Sequence, residues 1–279
     1  MHGGRRDDRS DEKQNITKGF RDVLINVYLC ADKTVFSFHD MNYAIIAAGE
    51  GSRLAKEGVR MPKPLVNIHG ERLIDRLIRV FMANDAEQIA VICNNLHPEV
   101  EQHLARLRQQ GLHGMTLPLH YIVQTTPSSM HSFYALSQTM PRAPFVLTTV
   151  DTVFREDEFR DYIDVFRQQL VAGYDGVMGV TDYVDDESPL YVGTDADMNV
   201  TGFFDANTAH FQYISGGIYG LTADAFQTLH GCMQRGESRM RNFQRALIAD
   251  GKRLKAHAFS KVMDIDHTSD ITKAETFLK

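Results

Sequence analysis

Three cysteines in 279 residues are too few and too scattered for a disulfide framework. Cys30, Cys93 and Cys232 leave an odd count and form no CxxC pair, so a cysteine zinc site is not indicated either. A reducing cytoplasm fits this usage. Positive charge is also short. Thirty Lys and Arg against 36 Asp and Glu give a net −6 with the signs interspersed. That balance argues against a nucleic-acid surface while leaving room for a small polyanion in a locally basic pocket. Long hydrophobic runs are missing: "MHGGRRDDRSDEKQN" is polar, and "FRDVLINVYLCADKTVFSF" is interrupted by Arg21, Asp22, Asp32 and Lys33. Neither a signal peptide nor a membrane-spanning helix is expected. Residues 1–40 read as an appended extension, or as the product of an early start codon, ahead of a domain over 42–279.

What is present is an alternation. With 43% hydrophobic residues the chain can bury a sizeable core. "YAIIAA", "QIAVICN", "LPLHYIVQ" and "APFVLTTVD" read as buried strands. The stretches between them, including "ERLIDRLIRVFMAN" with Leu73, Leu77 and Phe81 on one face, have helical spacing. The expected class is α/β, a mostly parallel central sheet with helices on both faces. After Asp151 short strands dominate ("DGVMGVTDY", "PLYVGTD", "VTGFFDA", "QYISGGIYGLT"), which predicts an antiparallel elaboration. No repeat or linker divides 42–151 from 152–279, so the two halves are expected to share one sheet.

The first strand runs into Gly49-Glu50-Gly51-Ser52-Arg53. Such a loop at the carboxyl end of a parallel strand presents backbone amides to phosphate, and Arg53 adds a forked cation. Two common phosphate loops do not fit: GxGxxG would need glycine at Leu54, and GxxxxGK[ST] does not occur. The chain continues instead to Pro62-Lys63-Pro64, whose two rings restrict the backbone around one lysine. Taken singly, the glycines also suit a plain turn, and Lys63 a solvated loop cation.

In this order, "AAGEGSRL", then "PKPLV", then an amphipathic helix, the chain resembles the nucleotidyltransferases that make nucleotide sugars from a nucleoside triphosphate and a sugar 1-phosphate. The resemblance spans about residues 42 to 279 and implies a Rossmann-like nucleotidyltransferase fold, with 42–151 binding the nucleotide and 152–279 the acceptor. It implies that Ala47, Ala48, Gly49, Gly51 and Ser52 line the nucleotide site, with Arg53 and Lys63 as the catalytic cations. Gln124, in "YIVQTTPSSMHSFYAL", would face the base. Ser128, Ser129 and Ser132 in that stretch fit helix capping or phosphate contact. Asp151, ending "FVLTTVD", would bind Mg²⁺ with the acid of "VMDIDHTSDITKAE", which is similar to the family's "DIDTPEDL" ending. Asp264 matches that acid and Asp266 is a second or alternative ligand.

Gly216 and Gly217, in "YISGGIYGL", match the strand beside the acceptor and equally suit a bulge. The family's Glu-Lys-Pro element has no counterpart in "VTGFFDANTAH". Lys261 is a substitute cation or a solvated strand-edge lysine, and the histidines have no ligand-type spacing.

The implied partners are a nucleoside triphosphate and a phosphorylated small molecule, with no nucleic acid or membrane. A sugar 1-phosphate is the expected acceptor. The alternative is a cytidylyltransferase acting on phosphocholine or a related phosphorylated alcohol, since relatives of this fold with an acid-Ile-Asp ending act so. A third reading, of a different class, is a non-catalytic nucleotide or sugar-phosphate sensor, which would have no need of the metal acids.

Overall fold

The computed structural model describes residues 41–185 and 188–279; the expectations for the first 40 residues lie outside them. The first strand, β1 (Met41–Ala47), is buried along its whole length. Its side chains alternate between two cores: Tyr43, Ile45 and Ala47 face one, Ala44 and Ile46 the other. A strand covered on both faces sits at the centre of a parallel sheet.

Parallel neighbours flank it. β4 (Ala86–Cys93) pairs on one side and carries β5 (Leu119–Val123) beyond it, while β6 (Phe145–Thr149) pairs on the other. Between β1 and β4 lie α1 (Ser52–Lys56), a hairpin of β2 (Asn67–Ile68) and β3 (Glu71–Arg72), and α2 (Leu73–Met82). The predicted helix of this region therefore starts after Arg72. His69 and Gly70, both at positive φ, close the hairpin just before it. α3 (Pro98–Gln110) leads to β5, and α4 (Ser129–Ser137) returns the chain to β6.

Next come the short β7 (Thr152–Val153) and α5 (Glu156–Val171). The second half adds β8 (Gly176–Thr181), β9 (Tyr191–Thr194), β10 (Val200–Phe204) and β11 (Tyr213–Leu221). β11 joins the halves, pairing antiparallel with β6 on one edge and with β8 on the other. β9 pairs with the start of β11 and carries β10. The halves thus share one nine-stranded sheet, as expected.

Two features differ from the expectation. β12 (Leu254–Phe259) runs parallel to β8, so the elaboration is not wholly antiparallel. An unexpected helix, α6 (Ala225–Gln234), follows β11; it precedes α7 (Met240–Ala249), the helix that "MRNFQRALIADG" predicts, and the two pack with α4 on one face of the sheet. There Phe133, Phe145, Phe226 and Phe243 cluster: Phe145 and Phe226 stack with their rings 4.9 Å apart, and Phe243 meets Phe133 edge-on. The opposite face is covered by α2, α3 and α5. Tyr43 lies flat on Phe81, their rings 4.2 Å apart. β13 (Met263–Asp264) and α8 (Thr268–Phe277) end the chain, β13 pairing antiparallel with β7.

The crossover after β1 goes one way, to β4, while β6 comes in on the other side. The strand order therefore reverses beside β1. Open α/β sheets bind ligands outside the carboxyl ends of strands at such a point.

Candidate active site

Three segments meet at that reversal. From the end of β1 the chain enters the glycine loop, and Gly51 takes φ +63 at the start of α1. A Cβ added to Gly51 would lie 3.5 Å from the Cβ of Lys63, so the loop packs directly on the lysine. Gly49 is different: its missing side chain faces open space. Ala47 and Ala48 are buried beneath the loop, while Gly49, Ser52 and Arg53 are exposed. Among the described residues no hydrogen-bond acceptor is bonded to the amides of Glu50, Gly51, Ser52 and Arg53. These N–H groups and the first turn of α1 present an anion-facing backbone.

Pro62 is extended, and Lys63–Leu65 form a single 3₁₀ turn closed by Leu65 N–H donating to Pro62 O at 2.8 Å. The turn aims Lys63 at the end of β6. Its Nζ donates to Asp151 Oδ2 and to Asp266 Oδ1, both at 2.7 Å. Arg53 Nη1 donates to Asp266 Oδ2 at 2.6 Å. The Lys63 side chain is only 12% exposed and that of Asp151 17%, against 54% for Arg53 and 36% for Asp266. Burial opposes the Lys63 charge, but Asp151 and then Asp266 outweigh it and hold the ammonium well above the usual lysine range.

Asp264 arrives on β13, opposite Thr152 in the register, and Thr152 Oγ1 donates to its Oδ1 at 3.2 Å. Thr149 Oγ1 lies 2.7 Å from that of Thr152. Ile265 N–H donates to Asp151 O at 3.1 Å and fixes the two acid-bearing segments to each other. Surrounding protein crowds Asp264; this desolvation, with the charges of Asp151 and then Asp266, raises its carboxyl to about 8, against Lys63 and Thr152. The side chain nonetheless keeps an exposed face. The stronger influence is therefore the company of two other carboxylates, a repulsion that a cation would relieve.

Among the described residues no three His, Cys, Asp or Glu side chains converge on a point where they could hold a metal ion. Asp266, and in part Asp151, turn onto the lysine instead. Two carboxylates completed by water and phosphate oxygens are nevertheless an ordinary donor set for Mg²⁺, so Asp151 and Asp264 suit the ion that the resemblance implies.

Several contributors escaped the sequence reading. Glu57, just past α1, accepts from Thr268 N–H at 2.7 Å and Thr268 Oγ1 at 2.9 Å, and bonds His267 Nδ1. It ties the glycine-loop helix, which carries Arg53, to the start of α8, which follows Asp266. These hydrogen bonds from His267 and Thr268 hold the Glu57 carboxyl down at about 2. Asn94, buried at the end of β4, donates from Nδ2 to the carbonyls of Ala48 and Gly49, both at 3.1 Å. The one sequence signal for it was a polar residue closing an apolar strand.

The remaining expected residues lie along the same sheet edge or beside it. Gln124 is exposed at the end of β5, its N–H donating to Cys93 O at 2.8 Å. Ser128 caps α4, its side chain accepting from the His131 amide, whereas Ser132 lies within the helix and its hydroxyl meets Thr126 Oγ1 at 2.6 Å. Gly216 and Gly217 form a bulge in β11, which gives them a structural role. A Cβ on Gly217, at φ +72, would lie 3.4 Å from Thr152 Oγ1, so the bulge borders the residue that holds Asp264. Lys261 points elsewhere: its ammonium lies 3.9 Å from the centre of the Tyr183 ring and 5.4 Å from that of Phe277.

Residues 43–279 match the nucleotidyl transferase family. The chain belongs to that family. No curated protein sequence matches it. Solved structures share its fold at low identity. A protein described as a glucose-1-phosphate thymidylyltransferase from Bacillus anthracis, in complex with sucrose, is 18% identical with a TM-score of 0.72, covering 85% of this chain and 94% of that one. The inositol-1-phosphate CTP transferase of T. maritima is 17% identical with a TM-score of 0.64, covering 86% and 98%. A UDP-glucose pyrophosphorylase complexed with UDP-glucose is 14% identical with a TM-score of 0.69, covering 85% and 98%. This nucleotidyl transferase has, among its described residues, no helix long and apolar enough to cross a membrane. Its cysteines Cys93 and Cys232 are free and buried.

Proposed function

We propose that this nucleotidyl transferase moves a nucleoside monophosphate from a nucleoside triphosphate to a phosphorylated small molecule, a sugar 1-phosphate, with release of pyrophosphate. The observation that carries the reading is the Lys63 ammonium held between Asp151 and Asp266 beside an open-amide glycine loop. An acceptor phosphate oxygen attacks the α-phosphorus in line. The bond from that phosphorus to the bridging oxygen breaks, and its electron pair leaves with pyrophosphate. The acceptor phosphate is already ionised, so no proton has to be removed. Catalysis is then positioning plus charge neutralisation.

The loop amides and Arg53 hold the leaving phosphates, and Lys63 reaches the phosphate under attack. Asp151 and Asp264 would hold Mg²⁺, which when bound supplies positive charge to the α-phosphate, and Asp266 stands within reach as a further ligand. Ala47, Ala48, Gly49 and Ser52 line the nucleotide, Gln124 offers a donor and an acceptor to the base, and the Gly216–Gly217 bulge gives the acceptor a close approach. The cytoplasm is the proposed compartment.

One observation favours a second acceptor. Lys261 is engaged by two aromatic rings, which leaves the missing Glu-Lys-Pro lysine without a replacement. A phosphorylated alcohol such as phosphocholine or inositol 1-phosphate, with cytidine as the nucleoside, is the alternative substrate class.

A matrix of nucleoside triphosphates against phosphorylated acceptors, with Mg²⁺ and read by pyrophosphate release, separates these readings. Release with one sugar 1-phosphate supports the proposal; release with phosphocholine or inositol 1-phosphate alone moves it to the alternative. Nucleotide binding without release from any pair would make the protein a sensor.

A further inference from the structure

Both oxygens of Asp266 are occupied by the two cations that the proposed reaction assigns to phosphate. Oδ1 accepts from Lys63 Nζ at 2.7 Å and Oδ2 from Arg53 Nη1 at 2.6 Å. The backbone behind the carboxylate is fixed as well, since the amides of Asp266 and His267 both donate to Asp270 Oδ2, at 3.2 and 2.8 Å. A carboxylate mounted this way does to Arg53 and Lys63 what a phosphate group would do. We propose that Asp266 is a built-in counter-anion, holding the polyphosphate cations closed until a polyphosphate and a divalent cation arrive together. The inference rests on the nucleotidyl-transfer reading of the site and concerns how that site is opened.

The consequence is electrostatic. A polyphosphate arriving alone must take Arg53 and Lys63 from Asp266, and Lys63 from Asp151. It then leaves the Asp151 and Asp266 carboxylates without a cation beside the crowded Asp264, which like charges resist. A divalent cation arriving with it compensates the released carboxylates. Opening is cheapest at Arg53, whose pair with Asp266 is the more exposed of the two contacts and therefore the weaker. Metal and polyphosphate accordingly bind with positive coupling, each tightening the other by the same factor. Asp266 is a positioning residue in this scheme, because it acts through Arg53 and Lys63.

The test is calorimetric titration of the full chain with inorganic triphosphate, with and without Mg²⁺, at fixed pH and ionic strength. Asp266→Asn keeps the shape and removes the charge. It is expected to bind metal-free triphosphate about tenfold more tightly than the wild type and to lose a similar factor from the Mg²⁺ enhancement, a size typical of coupling between sites. Asp266→Glu, which keeps the charge, is expected to recover the enhancement, and circular dichroism establishes that both variants are folded. If Asp266→Asn leaves metal-free affinity unchanged, or weakens binding equally with and without metal, the counter-anion is refuted. A wild type that binds triphosphate under neither condition would overturn the nucleotide site itself. Binding by the wild type with no change in Asp266→Asn removes this inference alone.

Discussion

Lys63 is the residue on which the site turns, because its one ammonium touches two of the three acids. Replacing it with methionine keeps much of the volume and removes the charge, and turnover should fall about 10²- to 10³-fold, the loss typical of one preorganised charge-stabilising donor. Steady-state kinetics would show the loss in kcat, and a variant retaining wild-type kcat would remove Lys63 from the chemistry. The two loop glycines should separate by experiment. Gly51 needs its positive φ, so Gly51→Ala should cost about 1–2 kcal/mol of stability in denaturant unfolding, the penalty of a left-handed non-glycine residue. Gly49 has open space beside it, so Gly49→Ala should melt like the wild type while raising KM for the triphosphate. Asp264 carries a pH signature. Its folded-state pKa of about 8 lies above the ordinary 3.8 of an unfolded aspartate. The folded form therefore keeps a proton that the unfolded form has lost, and the group's penalty on folding is absent below about pH 4 and grows towards pH 8. In metal-free buffer Asp264→Asn should gain melting temperature over the wild type as pH rises from 5 to 8.5. A constant difference across that range would contradict the crowding of the three acids.

Residues legible in the sequence are those at the ends of strongly apolar strands. Arg53 and Asp151 follow such strands and Lys63 lies in a proline-locked turn, whereas Asp264 and Asp266, at the two-residue β13, are found through the motif resemblance. Glu57, Asn94 and Thr152 act through contacts between segments far apart in the chain, which no local pattern announces. The same division holds for whole elements. β1, β4, β5 and β6 are plain because a strand buried on both faces needs an unbroken apolar run. β2, β3 and β7 are two residues each, too short for any period. α6 was hidden because Gly231 and the polar Gln227, His230 and Gln234 blur its pattern, and its place on the sheet depends on Phe226 meeting Phe145. The parallel pairing of β12 with β8 depends on tertiary placement. One link between elements makes a direct test. Glu57 connects the end of α1 to the start of α8, and Glu57→Ala removes the acceptor for the Thr268 amide. Hydrogen exchange at Thr268 should quicken and KM for the triphosphate should rise, while the global melting temperature moves little because Glu57 lies at the surface. Unchanged exchange at Thr268 would show that α8 is held in place without it.

The proposed division of labour, nucleotide before Asp151 and acceptor after it, is not a division into separate folding units. β6, the last strand of the first half, depends on β11 for one of its edges, with Phe145, Val146, Leu147 and Thr148 paired to Leu221, Gly220, Tyr219 and Ile218. The face over β6 depends on Phe226 and Phe243, both contributed by the second half. Even the acids are shared, Asp151 from one half and Asp264 from the other, fastened by Ile265 N–H on Asp151 O. A fragment of residues 42–151 would expose a strand edge of β6 and the rings of Phe133 and Phe145 together, the combination that drives edge-to-edge aggregation. It should aggregate or stay unfolded when produced alone. Residues 41–279 should instead lose the secondary structure of both halves in one calorimetric transition, with calorimetric and van't Hoff enthalpies in agreement. Two resolved transitions, or a soluble fragment with native-like dispersion, would mean that the shared sheet does not couple the halves. Coupling also bears on function. The glycine loop ends β1 and the bulge of Gly216 and Gly217 interrupts β11, two strands away across β6, so nucleotide and acceptor would be held on one rigid surface. The proposed in-line attack would then be a property of the sheet, and it would not require the halves to close on each other.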